Sequence, residues 1–142
     1  MAFWRARLSD PGLPKHDQGS GSFDDYGYDL AAKNARVTIR LAASDPCQEE
    51  LRGVLEQGAA EATTAISARG MAEERVDAPI PVRLFLGTRV SGVVGAVPRG
   101  LESVVDENLR RIEDRGDKPR IPVSIVETRH GIRVDLLMGA VR

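Results

Sequence analysis

From Ala35 to Ala43 the chain alternates: Val37, Ile39 and Leu41 are apolar, Thr38 and Arg40 polar. A period of two predicts a half-buried β-strand. The period then lengthens. Leu51, Val54, Leu55, Ala62, Ala65 and Ile66 recur on roughly one helical face, so a helix is expected from Pro46 to about Arg69. Asp45 reads as its N-cap, Pro46 as its first residue and Gln48 as the capping-box partner. Gly53 and Gly58 each weaken such a helix by about 1 kcal/mol relative to alanine, and Gly70 is the expected stop. Ala59, Ala60, Ala62 and Ala65 predict close packing of this helix against a sheet.

Alternation returns at Ile80, Val82, Leu84 and Leu86, giving a second strand that ends at a tight Gly87-Thr88 turn. A third strand is expected from Arg89 to Val97, with Gly92 and Gly95 leaving room for a close backbone approach and Pro98 ending it. Leu101, Val104, Val105, Leu109 and Ile112 restore helical spacing, closed by Gly116 and Pro119. Strands at 121–127 and 132–138 meet through Arg129-His130-Gly131. The predicted order is β-α-β-β-α-β-β. That is an α+β fold: a small, mostly antiparallel sheet or partial barrel with two helices.

Residues 9–34 are rich in Gly, Ser, Asp and Pro, with too little apolar surface to offset the entropy of ordering them. The expected organisation is a flexible N-terminal arm, 1–34, and a single α+β domain, 35–142. Five of the six aromatic residues (Phe3, Trp4, Phe23, Tyr26 and Tyr28) nevertheless lie in the arm, leaving only Phe85 elsewhere. Two roles follow for these five. They cap an apolar surface of their own domain, or they dock on a protein partner as a short linear motif.

Charge changes the picture little overall and more by region. The net charge of −1 steers no charged partner from afar. Residues 1–80 carry −4, however, and residues 81–142 carry +3. Arginine outnumbers lysine 17 to 3, a coding bias that suggests a high-GC bacterial source. The first residues hold no apolar run long enough for a signal peptide or a spanning helix, so a cytoplasmic protein with no membrane contact is expected.

Candidate chemistry is sparse. Cys47 is the one cysteine, which excludes an internal disulfide and a cysteine-cluster metal site. Near a helix start its thiol would feel the dipole and ionise more readily, and His130 is the histidine weighed as its base; a packed, inert cysteine is the plainer reading. His16 and His130 match no metal-ligand spacing, so neither a metal nor a cofactor is expected and the chain does not read as an enzyme. No phosphate-binding GxxxxGK[ST] occurs, though Arg99 and Gly100 precede a helix start that could hold a phosphate. Arg89, Arg99, Lys118, Arg129 and Arg133 are the candidate nucleic-acid contacts on the basic C-terminal half.

Val94-Gly95-Ala96-Val97-Pro98-Arg99, followed by an apolar-periodic helix and two strands, resembles the HIRAN domain over residues 79–139. That family's hinge reads Val-Gly-Tyr-Leu-Pro-Arg. The resemblance implies a small β-barrel with a helix, alone or attached to DNA-processing enzymes, some members binding single-stranded DNA ends. Ala96 replaces the family's aromatic, and residues 73–82 lack its acidic-Asn-Pro-Tyr-Asp segment. The expected function is a non-enzymatic binding or accessory module contacting DNA or a DNA-processing protein. The alternative is a protein-interaction domain using the aromatic arm or a sheet edge.

Overall fold

A computed structural model of the chain describes residues 12–58 and 61–141. Among the described residues it forms eight short strands: β1 (Ile39–Arg40), β2 (Thr63–Thr64), β3 (Pro81–Val82), β4 (Leu84–Leu86), β5 (Arg89–Val90), β6 (Gly95–Ala96), β7 (Val123–Thr128) and β8 (Gly131–Leu136). Three α-helices accompany them: α1 (Gln48–Glu56), α2 (Met71–Arg75) and α3 (Glu102–Asp114). The strands make sheets ordered β1-β8-β7 and β2-β4-β5 and a pair β3-β6, all antiparallel. Single bridges, Ala42 to Ala96 and Thr63 to Pro122, join them. The fold is α+β, without a closed barrel.

The strongest patterns become the core. Val37, Ile39 and Leu41 are buried while Thr38 is exposed, and Ile132, Val134, Leu136 and Met138 are all buried. In α3 the apolar positions Val104, Val105, Leu109 and Ile112 face inward, each contributing about 1.5–3 kcal/mol by its burial. Gly116, at φ 85°, follows this helix as a left-handed stop. Gly95 sits where an added Cβ would come within 2.8 Å of Ser44 Oγ and 2.9 Å of the Ala42 carbonyl, the close approach its position predicted.

Several elements differ from expectation, the second strand among them, which breaks at Arg83 into β3 and β4 in different sheets. The first helix ends at Glu56 rather than Arg69, with Gly58 in the left-handed region at φ 73°. Downstream, Thr63-Thr64 is a strand, because its backbone finds partners on two sides. Thr64 N–H donates to the Ile121 carbonyl at 2.9 Å, and Ala65 N–H to the Arg83 carbonyl at 2.8 Å. Adjacent β-branched residues favour that outcome. Ala59 and Ala60 lie outside the described residues. Gly70 precedes α2 instead of ending a helix, its N–H held by Glu73 Oε1 at 3.0 Å. The long third strand splits into β5 and β6, since Ser91 Oγ takes the Leu84 N–H at 3.0 Å and donates to the Gly92 carbonyl at 2.7 Å.

Residues 12–34 lie against the domain, so from Gly12 onward the segment is not the detached arm its composition suggested. Ser20 pairs with Arg40 at the edge of β1. Asn108 of α3 donates to the Leu30 carbonyl at 2.9 Å. Tyr26, a candidate partner-binding aromatic, is instead 4% exposed in the core, where its area stabilises the domain itself. Phe23 is half-exposed and Tyr28 fully exposed. Phe3 and Trp4 fall outside the described residues.

The Tyr26 hydroxyl is buried without a hydrogen-bond partner among the described residues, and burial, then Asp25, pushes its pKa far up. Tyr26→Phe is therefore expected to leave stability unchanged or raise it by about 1 kcal/mol, whereas Tyr26→Ala costs about 3–5 kcal/mol. Urea unfolding of both variants checks this; a Phe variant less stable than wild type would contradict it.

Candidate functional site

The five predicted cations have very different surroundings. Arg133 leaves the surface altogether. Although it alternates with inward-facing Ile132 and Val134, it is itself 2% exposed, because residues 16–17 and Asp45 cover the other face of β8. Its Nη1 donates to Asp17 Oδ1 at 2.6 Å, and its Nη2 to Asp45 Oδ1 at 2.6 Å and to the His130 carbonyl. A guanidinium so neutralised and enclosed cannot contact a nucleic-acid phosphate. Its assignment as a nucleic-acid contact is corrected on that ground.

Asp17, equally buried, holds this cluster together. Its carboxylate accepts the N–H groups of Ser44 at 2.7 Å and Asp45 at 3.0 Å, capping the turn that leads into α1. Gln48, expected to cap the same turn, donates to its Ser44 carbonyl at 2.9 Å and also bridges to β8, exchanging hydrogen bonds with the Ile132 backbone. Outside this layer, His16 Nε2 lies 2.9 Å from Asp45 Oδ2, and the His16 ring stacks on that of His130 with centroids 4.6 Å apart. Arg133 above all, then His16, holds the Asp45 carboxyl below its ordinary range.

Arg99, partly exposed, is also engaged within the fold. Its Nη2 donates to the Asp77 carboxylate at 3.0 Å, and its Nη1 lies 2.8 Å from Glu102 Oε2, an ion pair off-line for a hydrogen bond. Glu102, 2% exposed, also takes the Gly100 N–H at 2.7 Å. The anion expected at this helix start is therefore supplied by the helix's own first turn. Asp77 is shared with the buried Arg69, which also donates to Asp106 at 2.8 Å.

Arg89, Lys118 and Arg129 are exposed and form no ion pair among the described residues. Phe85 of β4 faces Val90 of β5 and Thr63 of β2 across the sheet, so these three share its outer face. The Arg120 guanidinium lies over the Phe85 ring, 4.2 Å from its centroid. Arg83, two residues before Phe85, is exposed on the same side by alternation with the buried Leu84. Arg89 belongs to this hairpin, and Lys118 precedes Arg120 by two residues. Arg83 and Arg120 are likewise without an ion pair among the described residues, so two cations share the Phe85 face, whereas Arg89, paired with Leu86, projects to the opposite face of the hairpin. Exposed Glu61 and Asp117 flank them. Arg129 stands apart: Thr63 bridges Pro122 at one end of β7, and Arg129 follows the other end, roughly 20 Å along the strand.

Cys47 does not acquire the ionised character that a helix dipole would favour. Burial, then the charges of Asp17 and Glu50, pushes its thiol pKa up, and Sγ contacts the Ala43 carbonyl at 3.6 Å. Among the described residues no cluster of three metal-ligating side chains occurs, and no helix is long and apolar enough to cross a membrane. No protein-family model, curated protein or solved structure matches the chain.

Two outcomes follow. Asp45, lowered in the folded state, contributes stability fully above the ordinary carboxylate range, about pH 4, and loses it as pH falls through its lower folded value. The urea midpoints of wild type and Asp45→Asn should therefore differ at neutral pH and converge in acid; a constant gap would contradict the assignment. Cys47 in the folded chain should alkylate with iodoacetamide at neutral pH more slowly than in the urea-unfolded chain, as followed by mass spectrometry.

Proposed function

We propose that this domain is a non-enzymatic, cytoplasmic accessory module that makes weak contact with single-stranded nucleic acid. The contact surface is the outer face of the β4–β5 hairpin. The observation that carries this reading is the sorting of charge: Arg99 and Arg133 are neutralised internally, while Arg83 and Arg120 stay without an ion pair on the Phe85 face among the described residues. Cations track the phosphate backbone, and bases stack on an aromatic ring or on the flat face of a guanidinium. One aromatic ring and two cations make a small site, so affinity is weak and salt-dependent. The resemblance of the Val94–Arg99 hinge to HIRAN domains supports the same class of ligand.

Fluorescence anisotropy with a short labelled oligo-dT across a salt series tests this. Two phosphate contacts predict a log–log slope of about −1.4 for a single strand. Arg83→Gln and Arg120→Gln should each reduce that slope by about 0.7 and weaken binding, whereas Arg129→Gln should change neither. Binding at low salt no tighter than that of an acidic control protein, or equal loss with Arg129→Gln, would overturn the proposal.

A further inference from the structure

A groove of about 520 Å³ is lined by residues 18–24 and by the hinge residues 98–101, two segments in direct contact. Pro98 and Leu101, both buried, form its apolar floor, and the half-exposed Phe23 is its accessible apolar side chain. The wall that rests on this floor is nearly bare backbone. A Cβ on Gly19 would approach Pro98 Cγ to 2.7 Å, and one on Gly21 would approach Leu101 Cδ1 to 2.6 Å, so glycine lets the loop lie directly on the hinge.

That wall has unused hydrogen-bonding capacity. Ser20 spends its N–H and C=O on Arg40. The backbone groups of Gly19 and Gly21 on either side make no hydrogen bond among the described residues. Apolar contacts beside unpaired backbone donors and acceptors suit an extended polypeptide, which supplies a side chain to the first and amides to the second.

Charge narrows the occupant further. Arg99 lines the groove but is already engaged by Asp77 and Glu102. Asp24 on the rim has no ion pair among the described residues, and Asp25 follows it. The groove thus offers unpaired negative charge and repels a polyanion, unlike the Phe85 face. We infer that it binds an extended segment of a partner protein carrying an apolar side chain next to a basic one. This site is independent of the nucleic-acid surface, and its occupant is of the opposite charge.

The test uses the full chain, 15N-labelled, titrated with two acetylated octapeptides, one alternating Leu and Arg and the other Leu and Glu. The Leu-Arg peptide should shift the amides of Gly19, Gly21, Phe23 and Leu101, and the Leu-Glu peptide should not. Phe23→Ala, which removes a half-exposed ring, should weaken binding at least tenfold. Asp24→Lys should reverse the preference between the two peptides. Shifts confined to other residues, or an unchanged preference in Asp24→Lys, would overturn the inference. So would the same amides responding to oligo-dT, or to protein concentration alone, which assigns the groove to nucleic acid or to a second copy.

Discussion

The buried ion pair between Asp17 and Arg133 is the contact on which most of this architecture depends. Arg133 sits mid-strand in β8, where an unpaired guanidinium would carry a large desolvation cost. Only a carboxylate brought to that face makes the position tolerable. Asp17 does so from 116 residues away in sequence and also caps the turn before α1 through the Ser44 and Asp45 amides. One side chain therefore fastens the N-terminal segment, the β7–β8 hairpin and the first helix together. Breaking such a pair costs more than its formation gains, because the surviving charge stays buried.

The same pair sets where function can lie. Once His16 and Asp17 are anchored, Ser20 falls into register with Arg40, and the Gly-Ser loop comes to rest on Pro98 and Leu101. The groove is a consequence of that docking. A segment that composition marks as too polar to order itself is ordered by a few strong, specific contacts: a buried carboxylate, a buried tyrosine and a two-bond bridge.

Arginine serves two roles in this chain. Arg40 holds Asp135 with two hydrogen bonds, at 2.8 and 3.1 Å, and Arg69 and Arg133 lie buried against aspartates. The planar guanidinium suits such enclosed, multidentate pairing better than a lysine ammonium does. The arginine-rich composition is thus partly structural. The cations left over define a smaller and differently placed surface than a count along the chain suggests.

Sequence alone determined the fold class, the inward faces of β1, β8 and α3, the stop at Gly116 and the close approach at Gly95. Each of these follows from periodicity or backbone sterics within a few residues. Tertiary structure decided that Thr63-Thr64 is a strand, that Tyr26 joins the core and that Arg99 and Arg133 are spent internally. It also decided that Phe85 lies beneath Arg120. Helical spacing from Leu51 to Ile66 carried no sign that Ile121 and Arg83 would claim the backbone of Thr64 and Ala65. Alternation around Arg133 likewise carried no sign of Asp17. Periodicity is a local property of the chain, whereas the partner of a charge or a strand edge is set by residues distant in sequence.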